Sequence, residues 1–197
     1  IVETLFDAGF TKDQIVLVVG FENKKVKDYF GDTVTYSDQE EQLGTAHATY
    51  VGMEKLSKDI ETVLVMGGDD SAFYTKETLL NFINKHVENN ATLSLLTSEV
   101  ESPEGLGRAI RNDNDEFAKV LEKEQLDDEQ KNITEISTGT YCFNKKWFEH
   151  IFPEMKQIDG LGELGLPKSV EIAIDMQEKI QAIKLKNKKE WFGINTV

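Results

Sequence analysis

The tetrad Gly67-Gly68-Asp69-Asp70 directly follows an apolar run at residues 62–66. Two glycines let a ligand come close to the main chain, and a carboxylate just past a buried strand can hold a divalent cation. Open α/β sheets bind ligands beyond the carboxyl ends of their strands, which is where this tetrad falls. A tight turn capped by aspartate would read the same way. A second stretch, residues 39–47, is a polar loop leading into a helix behind Gly44 and Thr45. Gln39 offers a paired donor and acceptor, and the first N–H groups of the helix could face a base or a phosphate; the alternative is an ordinary N-cap. His47 falls within that helix, where packing or solvation accounts for it, and no catalytic role is assigned. Residues 101–108 form a turn-rich loop in which Gly105 and Gly107 expose backbone N–H groups suited to gripping a polar substituent.

Several other chemistries are disfavoured. No Gly-x-Gly-x-x-Gly after a strand, Walker loop or metal-spaced Cys/His cluster is present, so the dehydrogenase, P-loop and zinc readings lose ground. The single cysteine, Cys142, sits in an apolar run and reads as a buried strand thiol. With 36 acidic against 22 basic residues, the formal charge is −14, so the surface repels nucleic acid and anionic membrane and points to small-molecule partners. Nothing resembling a signal peptide or membrane span is read ahead of the two Asn-x-Thr triplets at Asn90 and Asn132, so both read as chance matches and a cytoplasmic setting is expected. The aromatics Phe143, Trp147, Phe148 and Phe152 read as a packed satellite core, and the basic residues at 184–189 as a solvated terminal segment.

The elements needed to position these groups are those of an α/β fold. Buried strands are expected over residues 15–19, 62–66 and 92–96, with a shorter one at 33–36. Helices carrying one apolar face are expected over 45–56 and around Leu79, Phe82, Ile83 and Val87. The second half changes character: strands at 107–111, 117–121 and 133–143 predict antiparallel additions, followed by a proline-started helix over 167–179 and a strand at 181–185. The expected architecture is Rossmann-like, a mixed, mostly parallel sheet flanked by helices in one domain over residues 1–197. Its nucleotide-binding half would be 1–100 and its sugar-binding half 101–197.

Taken in order, these segments resemble the sugar-nucleotide pyrophosphorylases, most closely the uridylyltransferase domain that makes UDP-N-acetylglucosamine. Residues 39–47 are similar to the family's Q-x-E-Q-L-G-T-x-H-A segment, which assigns base recognition to Gln39, Gly44 and Thr45. Residues 64–69 resemble its strand ending in Gly-Asp, implying that Gly68 approaches the ribose and that Asp69 binds Mg²⁺. The loop at 105–108 is similar to G-Y-G-R, Val120-Leu121-Glu122 to a strand ending in a sugar-binding glutamate, and residues 135–139 to E-I-N-T-G; Gly107, Glu122 and Thr138 would line the sugar side. Residues 191–195 resemble the terminal G-V-N segment, making Asn195 the second magnesium contact. The implied reaction joins a nucleoside triphosphate, UTP or dTTP, to a sugar 1-phosphate, without a covalent intermediate.

The family's glycine-rich L-A-A-G-x-G-T-R-M loop would lie upstream of Ile1, where the chain opens in what reads as mid-helix, and the acetyl-transferring β-helix of the bifunctional enzymes would lie beyond Val197. No acetyltransferase activity is therefore expected of this polypeptide. Ser137 stands where the family has asparagine, and residues 162–168 only partly follow its G-E-Y-Y-L-T-D pattern, which leaves the sugar open. Two other functions stay open: a metal-dependent glycosyltransferase of similar architecture, and a non-catalytic regulator that binds sugar nucleotides. The oligomeric state, a homo-oligomer included, is not fixed by the sequence.

Overall fold

The computed structural model describes residues 1–158 and 162–192. After a short helix α1 (Val2–Asp7), the first half runs β1 (Val16–Val19), α2 (Asn23–Phe30), β2 (Thr35–Asp38), α3 (Thr45–Met53), β3 (Thr62–Val65), α4 (Lys76–Glu88) and β4 (Leu93–Glu99). The second half runs β5 (Arg108–Arg111), β6 (Phe117–Leu121), β7 (Glu135–Asn144), α5 (Lys145–Ile151), α6 (Pro167–Asp175) and β8 (Ile180–Lys184).

One six-stranded sheet has the order β6-β5-β7-β4-β8, with β3 also pairing along β7. Strand β7 is antiparallel to β3, β4 and β5, and β8 is parallel to β4. Accordingly β3, β4, β5 and β8 run one way, while β7 and β6 run the other. The sheet is mixed, as expected, and strands from both halves of the chain build it. β1 and β2 form a separate parallel pair.

The sheet is covered on both faces, so nearly every residue of β4 and most of β7 are buried, the polar Ser94, Thr97 and Thr140 included. On one side Leu93, Leu95, Tyr141 and Phe143 pack against Ala46 and Met53 of α3, Phe148 of α5 and Val170 of α6. On the other, Leu96, Cys142 and Ile183 meet Leu79 and Phe82 of α4. Phe148 and Phe82 are fully buried, and truncating either to alanine would cost about 3–5 kcal/mol. Cys142 belongs to this second layer, where burial pushes its thiol pKa up and leaves it inert. Thr75 caps α4, accepting from the Thr78 N–H at 3.2 Å, and the buried His86 of α4 is tied to Ser94 of β4 at 2.8 Å.

Three differences from the sequence reading have physical causes. Helix α2 was not anticipated because it is short and turns only Val26 and Phe30 inward, both half-buried, too few apolar positions to mark a helical face. Strand β2 begins at Thr35, two residues later than expected, and its Ser37 hydroxyl donates to the Val51 carbonyl of α3 at 2.8 Å. Helix α6 stops at Asp175 because the chain turns through Gln177, at a positive φ of 57°.

Between β1 and β3 lies a cleft of about 410 Å³, floored by Val16, Leu17 and Val18 on one wall and Thr62 to Met66 on the other. Among the described residues, β1 pairs only with β2 and β3 only with β7, so each strand turns an unpaired edge toward this cleft.

Candidate active site

The candidate residues gather at the carboxyl end of the first-half strands. Gly67 and Gly68 follow β3, and both line the end of the 410 Å³ cleft together with Thr45, Gly139 and Leu166. A Cβ at Gly68 would meet no protein atom within 4 Å, and its φ lies outside the left-handed region. Neither packing nor backbone conformation therefore requires glycine there, and the bare Cα faces open space.

The two aspartates beyond it have different surroundings. Asp69 is exposed at the rim. Asp70 turns inward: a Cβ on Gly67 would sit 2.5 Å from its Oδ1 and one on Gly139 would sit 3.3 Å from its Oδ2. Burial, and to a lesser degree the charge of Asp69, raises the Asp70 pKa, partly offset by the Ser71 hydroxyl donating at 3.0 Å. Asp69 is thus the carboxylate available to an incoming cation, and Asp70 braces the turn.

The base-side loop is held by contacts distant in sequence. Gly44 adopts φ 113°, and a Cβ there would meet the Leu164 carbonyl oxygen at 2.6 Å. The Leu164 carbonyl in turn accepts the Ala46 N–H at 2.8 Å, and its own N–H reaches Leu43 O at 2.7 Å. The Leu166 N–H donates to Thr45 Oγ1 at 2.9 Å. The α3 N-terminus, expected to hold its N–H groups toward a ligand, therefore gives one of them to the protein's own 162–166 segment. Gln39 lines a neighbouring cavity of about 450 Å³ with Gly20, Phe21 and Asp38. Its Nε2 donates to Gly44 O at 3.1 Å and lies 3.1 Å from His47 Nδ1.

On the second half of the sheet, Gly107 and Glu122 are brought together: a Cβ at Gly107 would lie 3.5 Å from Glu122 Oε2 and 3.3 Å from Leu121 O. Burial, with Glu124 adding to it, raises the Glu122 pKa. Thr138, expected on the sugar side, faces the interior. Its side chain is 1% exposed and its hydroxyl donates to Leu96 O at 2.8 Å, so it holds β7 to β4 and offers nothing to a sugar. The strand alternation places the half-buried Ser137 on the opposite face, with its Oγ 3.3 Å from the Tyr141 hydroxyl. Beside this face Glu135 accepts both Arg111 Nε and Nη2 at 2.8 Å and Thr97 Oγ1 at 2.7 Å, a buried anchor for β4, β5 and β7.

Asn195, named by the sequence as a metal contact, lies outside the described residues. Among the described residues no group of three or more His, Cys, Asp or Glu is placed to hold a metal. Magnesium commonly takes one or two carboxylates and completes its shell with water and substrate phosphate, so the exposed Asp69 suits it. Sequence reasoning missed His47 as a partner of Gln39; its spacing on α3 was visible, but the inward turn of the Gln39 amide was not.

The Gly-Asp turn at the mouth of the cleft gives this α/β fold a ligand site beyond the carboxyl end of a strand, where such folds bind their ligands. The chain belongs to the nucleotidyl transferase family, which it matches over residues 1–193. It is 36% identical over 183 residues to the bifunctional protein GlmU of Acetivibrio thermocellus, covering 93% of this chain and 40% of that protein. Against the Halalkalibacterium halodurans GlmU it is 34% identical over 195 residues, covering 99% and 42%. The chain thus spans about two fifths of the length of these relatives. Its fold is similar to that of HddC from Yersinia pseudotuberculosis, crystallised in complex with GMP-PN. The TM-score is 0.65 at 18% identity, covering 93% of this chain and 74% of that one. No helix among the described residues is long and apolar enough to cross a membrane.

Proposed function

We propose that this chain forms the catalytic core of a sugar-1-phosphate nucleotidyltransferase using UTP or dTTP, with UDP-N-acetylglucosamine or a related UDP-sugar as product. The observation that carries this reading is the bare Cα of Gly68, which opens on the cleft it shares with Thr45 and is followed at once by the exposed Asp69. In the reaction, an oxygen of the sugar 1-phosphate attacks the α-phosphorus in line. The bond from that phosphorus to the β-phosphate oxygen breaks, and pyrophosphate leaves with the electron pair.

The nucleophile is already an anion, so no base is needed to activate it. The protein has to align two anions and offset their repulsion. Gly68 admits the ribose, Gln39 and the Gly44-Thr45 turn take the base, and Gly107 with Glu122 grips sugar hydroxyls. Ser137 rather than Thr138 supports that last grip from β7. Asp69 and Asn195 would hold Mg²⁺, which when bound supplies positive charge between the two phosphates that an acidic chain lacks. A cytoplasmic setting follows from this pair of substrates.

The test is pyrophosphate release by the full-length protein with UTP, dTTP, CTP and GTP against a panel of sugar 1-phosphates and Mg²⁺. Magnesium-dependent release with a uridine or thymidine nucleotide is expected. Sugar transfer to an acceptor without pyrophosphate, or nucleotide binding without turnover, would overturn the proposal.

A further inference from the structure

We propose that His47 is a positioning residue that, together with the Gly44 carbonyl, holds the Gln39 amide with its oxygen toward the nucleobase, so that the site selects uracil or thymine over cytosine. The inference rests on the reading of Gln39 as the base contact and adds what decides its specificity.

An amide can present either an acceptor or a donor, depending on which way it is turned. Here the turn is determined by chemistry. The Gly44 carbonyl can only accept, so the Gln39 atom 3.1 Å from it must be Nε2. The same nitrogen stands 3.1 Å from His47 Nδ1, which must then carry a lone pair, leaving the ring proton on Nε2. Both amide hydrogens are thereby committed, and among the described residues nothing donates to Gln39 Oε1. The histidine is itself fixed, its ring stacked against Phe152 with centroids 6.3 Å apart and planes 17° from parallel.

A side chain that can only accept matches a ring N–H. Uracil and thymine present a donor at N3; cytosine presents a lone pair there, which would face Oε1 with no hydrogen between them. Were the amide free to turn, it could satisfy either base, so the discrimination resides in the Gly44 carbonyl and the His47 ring that together hold it, and not in Gln39 alone.

Affinities of UTP and CTP for the full-length protein, measured by titration calorimetry, test this in four forms: wild type, Gln39→Ala, His47→Phe and His47→Asn. Wild type should prefer UTP. His47→Phe keeps an aromatic ring against Phe152 but has no acceptor, and it should narrow the UTP-to-CTP ratio about tenfold, the worth of one neutral hydrogen bond. His47→Asn, with an acceptor oxygen near the place of Nδ1, should restore most of the ratio, and the KM for sugar 1-phosphate should move in neither variant. Nitrogen-15 NMR of the wild-type imidazole needs no variant and should show Nδ1 bare and Nε2 protonated; the opposite tautomer overturns the proposal. If Gln39→Ala erases the preference while His47→Phe keeps it, the inference falls and the reading of Gln39 stands. If neither substitution moves the ratio, or the wild type binds neither nucleotide, both fall.

Discussion

Replacing Gly68 by alanine separates a ligand-approach role from a structural one, because at this position the two predict opposite signs. The new Cβ would meet no protein atom within 4 Å and the backbone is outside the left-handed region, so the folded state pays no steric or conformational penalty. Reducing the freedom of the unfolded chain should then raise stability by about 0.4–1 kcal/mol. If a ribose packs on the bare Cα, the same methyl intrudes on it, and overpacking of that size costs about 1–3 kcal/mol, or roughly 5- to 150-fold in affinity. The measurement is a pair: urea unfolding of the free protein, and UTP titration of wild type and variant. An unchanged or raised midpoint with weakened binding is the expected result. A lowered midpoint would mean that glycine serves the fold, and unchanged affinity would mean that no ligand approaches Gly68; either refutes the argument.

Gly44→Ala should behave in the opposite way: left-handed strain of about 1–2 kcal/mol, with two loop hydrogen bonds lost at about 1 kcal/mol each, gives a destabilisation of about 3 kcal/mol. Its urea midpoint should fall, and an unchanged midpoint would show that residues 162–166 do not brace the Gly44 turn. Asp69→Asn should lower turnover by about 100-fold or more while leaving the urea midpoint in place, because the exposed carboxylate supports no packing; wild-type turnover at saturating Mg²⁺ would remove Asp69 from the metal site. Burial alone would raise the Glu135 pKa, but Arg111, Thr97 and Lys184 outweigh it and hold the carboxyl below its ordinary value. A depressed folded-state value stabilises above the unfolded pKa and is lost as pH falls through the folded one. Wild type should therefore lose stability through the acid side of the carboxylate range, and Glu135→Gln should flatten that part of the profile; parallel profiles would show that the Arg111 pair contributes nothing.

What the sequence disclosed follows from how local each cause is. Strands β1 and β3 were legible as short apolar runs, and 117–121 coincides with β6 to the residue. Helix α2 was hidden because only Val26 and Phe30 supply its apolar face, and both are only half-buried. The Gly67-Gly68-Asp69-Asp70 turn could be found from its composition, yet which aspartate faces out depends on Gly67 and on Gly139, seventy residues away on another strand. Which of Ser137 and Thr138 is inside was not legible either, because a one-residue step in a strand exchanges faces and only the pairing of β7 with β4 fixes it. The Gln39 loop shows the same limit most sharply. Its polar composition proclaimed a ligand-binding segment, but its recognition chemistry rests on a carbonyl five residues on and an imidazole eight residues on. Those two contacts leave the amide only its oxygen to offer, and a composition that permits either base becomes a geometry that favours one.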